Sequence, residues 1–495
     1  MPGLTLFSGL TRRLSIAVPL AALAVVGCTV GPNYKRPWLP VPDQFSEIGA
    51  ATQPTTRSAT EPSTRPISAD VQLQAFTQWW TTFDDPRLNS LIDRAIKGNF
   101  NLIAAEARLR EARANRGVVA SQYFPQVNAV GQYSHTRASQ NVSGPSSFGV
   151  PLVNDVWQAG FDATWEIDVF GGTRRSVESA DASIQAAVED RRDVLISLFS
   201  EVALNYVELR GAQHSLAIAR HNLASQQQTL SLTRSKAEGG LIPYLDVAQQ
   251  EAQVATTAAT IPTFETQIRQ NIHRLGILIG RDPGTLSAEL TPDAPIPVGP
   301  DAIPPGLPSE LIRRRPDVRR AERQLAAATA NIGVATADLF PKFSITGAMG
   351  DEAQQLKQLF NYSSRFYQIV PGVSWDIFDA GRVKSNIEVQ NARQAQALAA
   401  YFQVILQSMQ DVDDSLIAYN REQQRLASLR QAVDSNQRAV DMSTELWQKG
   451  SKDFLSVLDA QRSLFTAQDA MARSEQLVST NLISLYKALG GGWQP

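Results

Sequence analysis

The chain has one cysteine, Cys28, among 495 residues. It can form no internal disulfide and holds no cysteine-rich metal site. Its four histidines, His135, His214, His221 and His273, are scattered. His214 and His221 stand seven apart on one helix face, without the acidic or histidine neighbours that a ligand set needs. The net charge of −2 is neutral on nucleic acid, but there is no basic patch, and no nucleic-acid partner is expected. No glycine-rich phosphate loop follows a strand, and no Ser/His/Asp grouping is visible. The carboxylate cluster Asp411-Val412-Asp413-Asp414 has no basic or histidine residue beside it in the sequence. The chain therefore reads as a non-enzyme without metal or cofactor. Past the first 26 residues no apolar run is long enough to span a bilayer as a helix, so any membrane span must be β.

The N-terminus reads as an address. Arg12-Arg13 precede an apolar stretch from Leu14 to Val26, which is signal-peptide length. It ends Val25-Val26-Gly27-Cys28, small residues before a cysteine. This looks like a bacterial lipobox with Cys28 as the acylated first residue; the alternative is an ordinary signal with an incidental cysteine. An acyl chain contributes about 0.8 kcal/mol per buried CH2. Thr29, where an aspartate would signal inner-membrane retention, points to the outer membrane. From about Pro40 to Ser68 the chain is rich in Pro, Thr, Ser and Ala. That composition buries no core and reads as a spacer.

Beyond the spacer the chain is duplicated. Gly240-Leu241-Ile242-Pro243-Tyr244-Leu245-Asp246-Val247 is answered by Gly450-Ser451-Lys452-Asp453-Phe454-Leu455-Ser456-Val457, and 450 − 240 is 210. Between about Thr173 and Glu238 there is no proline, and apolar residues recur every seven: Leu195, Val202, Leu209, Leu216, Leu223, Leu230. The second copy keeps the register with Ile405, Val412, Tyr419, Leu426, Val433, Val440, Trp447. A sustained heptad seam predicts coiled-coil packing. Each rod ends in a glycine turn and is succeeded by an amphipathic helix, about Tyr244–Ile279 and Asp453–Leu489. Pro262 is expected to bend the first of these.

Before each rod lie two alternating segments, about Pro125–Arg137 and Val156–Phe170, then Pro341–Met349 and Arg365–Phe378. Their period of two fits membrane strands. Trp157, Trp165 and Trp375 suit either an interfacial belt or buried packing. Four strands are too few for a membrane barrel, whose known minimum is about eight. Either they form a soluble sheet or several chains pool them. The signal peptide and the rods favour pooling.

These residues resemble the outer-membrane efflux protein family, the TolC/OprM-type channels, in its lipoprotein branch. The resemblance runs from Cys28 to the C-terminus. It is carried by Cys28-Thr-Val-Gly-Pro-Asn-Tyr-Lys-Arg-Pro37, Trp79-Trp80 with Phe83-Asp84-Asp85-Pro86, and Trp165-Glu-Ile-Asp-Val-Phe-Gly171. Pro304-Pro-Gly-Leu-Pro-Ser-Glu-Leu-Ile-Arg-Arg-Arg-Pro-Asp317 and Tyr486-Lys-Ala-Leu-Gly-Gly-Gly-Trp493 complete it. The resemblance implies a mostly α fold with a membrane β part. Each chain would supply four strands to a 12-stranded trimeric barrel and four helical positions to a periplasmic α-barrel.

The implied organisation is a signal peptide over 1–27 and a lipid-anchored segment with spacer over 28–78. A first repeat spans 79–290, with an equatorial helix, two strands and a long hairpin. A linker over 291–316 leads to a second repeat over 317–495, with two strands, a long hairpin and a C-terminal equatorial end. The implied function is the outer-membrane exit duct of a tripartite efflux system. Its partners would be two further copies, a periplasmic adaptor (membrane fusion protein), an inner-membrane pump of the RND type, and outer-membrane lipid.

By position, Asp459 and Leu455 would form aperture rings. Asp246, Trp447 and Lys452 would latch the tip. Gly239, Gly240, Leu241, Gly450 and Ser451 would dock the adaptor. Without the resemblance, Asp459 reads as a solvated acid near a helix start. Two rivals stand: a duct for type I protein secretion, and a lipidated coiled-coil adaptor or envelope spacer with a soluble sheet.

Overall fold

The structure is a computed structural model that describes residues 29–38, 77–139, 153–300 and 314–493. In chain order its elements are α1 (Pro86–Gly98), α2 (Phe100–Ala120), β1 (Gln126–Arg137), β2 (Val153–Ile167), α3 (Gly172–Glu238) and α4 (Tyr244–Leu278). Then come α5 (Pro316–Ala337), β3 (Lys342–Ala353), β4 (Arg365–Ser374), α6 (Arg382–Gln448) and α7 (Phe454–Ala488).

The duplication sets the element ends to the residue. Adding 210 to the ends of α3, 172 and 238, gives 382 and 448, the ends of α6. The same step takes α4, 244 to 278, onto α7, 454 to 488. Upstream of the rods a second offset of 216 holds: 126 and 137 in β1 become 342 and 353 in β3. It also matches Ala114-Asn115-Arg116-Gly117-Val118 with Ala330-Asn331-Ile332-Gly333-Val334. The six-residue difference is taken up between the paired strands. Helix α5, the twin of α2, is an element that hydrophobic alternation alone does not single out.

The described residues divide into two compact units that cut across the repeats. One holds Leu109–Ala187, Ala321–Tyr401 and the N-terminal segment up to Pro37; the other holds Trp38–Arg108, Val188–Arg320 and Phe402–Pro495.

In the first unit the strands form one antiparallel sheet in the order β1-β2-β3-β4. Gln126 pairs with Thr164, Trp157 with Ala353, and Lys342 with Ser374. Among the described residues neither outer edge, on β1 or on β4, has a partner strand. Strand β2 begins at Val153 and β3 runs on to Ala353, past the ends that alternation suggests, while β4 stops at Ser374. The extra residues of β3 include Gly350-Asp351-Glu352, whose polarity hides a strand held by cross-strand pairing to Gln158, Ala159 and Gly160.

Residues 29–37 lie as an extended strap in this unit. Buried Arg175, near the start of α3, donates to the carbonyls of Val30 (3.1 Å) and Gly31 (3.2 Å) and to Asn33 Oδ1 (2.7 Å). Gly31 has φ +87°, and a Cβ there would come within 2.5 Å of the Gly333 Cα. Arg36 pairs with Glu322 at 2.9 Å. Glycine at both 31 and 333 is what lets backbone meet backbone.

In the second unit the seam of α3 packs as the heptads predict, with Val202 and Leu209 fully buried. Around it the Trp79–Phe83 turn, α1 and the 291–300 segment join the core. Trp79 stacks on Tyr486 at 5.4 Å, and Trp80 meets Phe199 at 4.6 Å. Burying one large apolar side chain is worth about 1.5–3 kcal/mol. Main-chain carbonyls of the 291–300 segment are capped from the rods: Arg210 reaches Pro292 O, Ser479 reaches Pro297 O and Tyr419 reaches Pro300 O. Arg315 ties α5 to α6 and α7 through Asp317 (2.7 Å), Asp411 (2.9 Å) and Ala488 O (3.0 Å). Pro262 sits inside α4 without breaking it.

Towards the tip the interior changes character. Gln226 and Thr233 of α3 and Gln250, Gln253 and Thr257 of α4 are buried. Gln250 Nε2 donates to the Gln226 carbonyl at 2.8 Å. A search for apolar heptads passes over this amide-lined stretch.

Candidate aperture and latch at the hairpin tips

Each rod ends the same way. Gly240 has φ +72° and Gly450 has φ +74°. The next N–H folds back five residues, Leu241 to Lys236 O and Ser451 to Leu446 O, both at 2.9 Å. This is the Schellman turn, in which a left-handed glycine lets the last carbonyls of a helix be satisfied. Gly239, Gly240, Leu241, Gly450 and Ser451 are all exposed at these turns.

The returning helices start differently. α7 is capped by Asp453, whose carboxylate accepts from Ser456 N (3.4 Å) and Ser456 Oγ (2.5 Å). These bonds hold the Asp453 carboxyl below the usual carboxylate range. α4 starts behind Pro243 with no side-chain cap, and Asp246 occupies its first turn. Burial, and then the charge of Asp453, push the Asp246 carboxyl up. Among the described residues no ion pair within the chain forms at Asp246 or Lys452.

Trp447 is 4% exposed and packs with Phe454, Val457 and Leu458, with Ile242 against the cluster. Its ring centre is 5.2 Å from that of Phe454. The Lys236 ammonium caps its face at 4.1 Å. Trp447 thus joins the two hairpins within one chain.

Leu455 and Asp459 lie one turn apart on the exposed face of α7. Leu455 is 47% exposed, and the Asp459 side chain is 64% exposed. The Arg462 guanidinium stands 4.0 Å from Asp459 and donates to Gln253 Oε1 at 2.8 Å. Sequence reading missed Lys236, Asp453 and Arg462. Lys236 carried a usable signal, a cation in the last turn of a helix. Cys28 lies outside the described residues.

The family profile of the outer membrane efflux proteins matches residues 91–281 and 307–491. The chain belongs to the outer membrane efflux protein family. A pyoverdine export outer membrane protein of Pseudomonas aeruginosa is 34% identical over 420 residues, 84% of this chain and 88% of the relative. A cation efflux system protein of Escherichia coli O6:H1 is 32% identical over 480 residues, 96% of this chain and 97% of the relative. Among solved structures, the outer-membrane channel OprN aligns with a TM-score of 0.84 at 36% identity, covering 94% of this chain and all of the other. The open state of the MtrE channel of Neisseria gonorrhoeae aligns at 0.79 and 27% identity, over 94% and 98% of the two chains. The chain is thus an outer-membrane efflux channel: its rods are the helical part and its sheet the β part of the channel fold.

Proposed function

We propose that three copies of the channel form one exit duct of a tripartite system. Twelve pooled strands would cross the outer membrane, and the rods would line a periplasmic tunnel. A periplasmic adaptor would dock on Gly239, Gly240, Leu241, Gly450 and Ser451, and an inner-membrane pump of the RND type would load the duct. Cys28 would carry the acyl anchor. The reading rests on one observation above all, a four-stranded sheet with two unpaired edges in a chain that also builds two 67-residue helices. Lipid offers no partner to an open edge.

In this reading Asp459 forms a three-fold acidic ring and Leu455 an apolar ring one turn away. Like charges around an axis favour cations, and an apolar ring resists wetting. Asp246, which pairs with no cation among the described residues, would take Lys452 of the next copy. At an exposed tip such a pair is worth roughly 0–1 kcal/mol, which suits a latch that a docking partner releases. Ser456 stands where some family members are implied to have a second acid, so the charged ring is single. The relatives export pyoverdine in one case and cations in another; small molecules are the cargo class proposed for this chain.

The test is mass and conductance. Detergent-extracted protein should be a trimer that heat dissociates, and Asp459→Ala and Asp246→Ala should each raise single-channel conductance in planar bilayers. A monomer by light scattering would sink the pooled-strand reading. Unchanged conductance and ion selectivity in both variants would remove the aperture and latch assignments.

A further inference from the structure

The interior of the first hairpin turns polar well before the tip. Among the described residues of α3, no apolar side chain is buried between Ala219 and Ala237; Asn222, Gln226 and Thr233 are buried instead. Among those of α4 none is buried between Val247 and Phe264, where Gln250, Gln253 and Thr257 take the inner places. The repeat shows that the fold does not require this. Adding 210 turns Gln250, Gln253 and Thr257 into Ala460, Ser463 and Ala467 of α7, small side chains among buried Val457, Leu458 and Leu464. Long amides line one hairpin and not its copy.

Three of these amides meet at one turn of α3. Gln250 Nε2 donates to the Gln226 carbonyl at 2.8 Å, and Gln461 Nε2 of α7 donates to Thr229 Oγ1 at 3.2 Å. Residues 226 and 229 are three apart, about 4.5 Å along the helix. The oxygen ends of Gln226, Gln250 and Gln461 are covered, and they bond nothing among the described residues. Thr257 Oγ1, two turns along α4 from Gln250, is in the same position. Gln226 is 3% exposed, Gln250 0%, Thr257 1% and Gln461 9%. The chain itself encloses these groups, so a neighbouring copy has no access to them. Gln253 is the satisfied case: its oxygen accepts from Arg462 Nε at 2.8 Å.

A buried carbonyl oxygen without a donor is costly, and three at one turn call for a common explanation. The occupant has to be small and has to present hydrogens or positive charge. A metal ion is the poorer fit. The formal charge that touches the seam is the Arg462 guanidinium, and the acids nearby are turned outward. Glu251 is exposed and pairs with Arg234 at 2.6 Å, and the Asp459 side chain is 64% exposed. A buried cation would stand beside a like charge without a counter-charge. Water has two donors and no charge, and a buried water takes about three polar partners, the number that this turn supplies.

We propose that Gln226, Gln250 and Gln461 hold a cluster of buried water between α3, α4 and α7. It is a hydration site of the first hairpin that the second does not repeat. The waters donate to the three amide oxygens and leave the direct bonds to Gln226 O and Thr229 Oγ1 in place. The site uses the side chains of one copy only, so it stands whether or not three copies assemble. Its consequence is a first hairpin bridged by exchangeable solvent where the second is joined by apolar packing.

The full-length, detergent-extracted channel tests this in two ways. A structure at a resolution that shows ordered solvent should place density about 2.7–3.2 Å from the three amide oxygens. X-ray hydroxyl-radical footprinting reads the same site in solution, because water activated inside a protein marks the buried side chains beside it. Val247 and Leu464, 6% and 7% exposed, each lie one turn from a site residue, Gln250 and Gln461, and both should be oxidised. The triple variant Gln226→Met, Gln250→Met, Gln461→Met keeps the side-chain length and removes the polar ends. In it Val247 and Leu464 should lose the label, and exposed Leu455 should keep it. Circular dichroism checks the fold; if the triple variant is not folded, Gln250→Met alone should lower the label at Val247.

Amide oxygens bonded to one another's nitrogens, with no solvent density between them, would overturn the proposal. So would a parent channel in which Val247 and Leu464 stay unlabelled, or a folded variant in which their label is unchanged. Soaking with thallium(I) separates the other occupant: an anomalous peak among the three oxygens would mean a monovalent-cation site and would overturn the water assignment.

Discussion

The Lys236 ammonium lies 4.1 Å from the ring centre of Trp447, tying rod α3 to rod α6 just before their glycine turns. Phe454 packs on the same ring, tilted, with centres 5.2 Å apart. Trp447→Ala should destabilise the tip by about 3–5 kcal/mol, the usual cost of emptying a buried aromatic site. Lys236→Met should keep the packing and lose about 0.5–1 kcal/mol of cation–π attraction. Hydrogen exchange over residues 444–458 checks both. Global loss of protection in Trp447→Ala would show that the cluster is not local to the tip.

Asp246 should respond to pH and to assembly with opposite signs. Its carboxyl is held up in the fold, so its contribution to stability is full below the unfolded value, about 3.9, and is lost as pH rises through the folded one. At neutral pH the carboxylate therefore works against its own hairpin. Asp246→Asn should tighten the tip of the dissociated chain at pH 7, read by hydrogen exchange in α4. In the assembled channel the same change should loosen the latch and raise conductance. Asp453→Asn keeps a capping residue and removes the neighbouring charge, so it should bring the Asp246 titration down.

Arg315 should be hard to replace. Its side chain is only 12% exposed and joins Asp317, Asp411 and the Ala488 carbonyl. Arg315→Met fills similar space and leaves two carboxylates without their cation. The loss for a buried pair is about 3–5 kcal/mol. The two carboxylates here are 21% and 38% exposed, so roughly 1–3 kcal/mol is expected after solvent screening. Thermal unfolding measures it, and an unchanged midpoint would mean that the node contributes nothing net.

The strap should come loose without its clamp. Arg175→Ala removes three hydrogen bonds to residues 30–33. Trypsin should then cleave after Lys35 faster than in the parent channel, with far-ultraviolet circular dichroism unchanged. Equal cleavage rates would place the hold elsewhere, at Glu322 or Gly333.

Cys28→Ser should abolish labelling by radioactive acyl donors. Retained label would refute Cys28 as the attachment site.

The rods were legible because their information is redundant. Six heptads in register, twice, leave little freedom, and the expected start at Thr173 is one residue from the observed Gly172. The tips were legible through Gly240 and Gly450, since only a positive φ allows that turn. The strand ends were not legible, because Gly350-Asp351-Glu352 belong to β3 through pairing and not through hydrophobicity. The strap was also hidden: Gly31 and Gly333 are far apart in sequence and reveal themselves only by touching. At the proposed aperture, Asp459 and Leu455 came through resemblance. Arg462, which reaches Asp459 on one side and Gln253 on the other, emerged only from packing.

The two unpaired sheet edges also limit how long a copy can exist alone. Every newly made chain exposes two backbone templates that accept any extended segment. Correct joining and wrong joining are both encounters between chains, so both speed up with concentration. In the pooled-strand reading, ring closure would end the race by leaving no edge to extend. On that reading the yield of channel would be set by kinetics: a slow, dilute supply of chains would favour closure, and overproduction would favour aggregates.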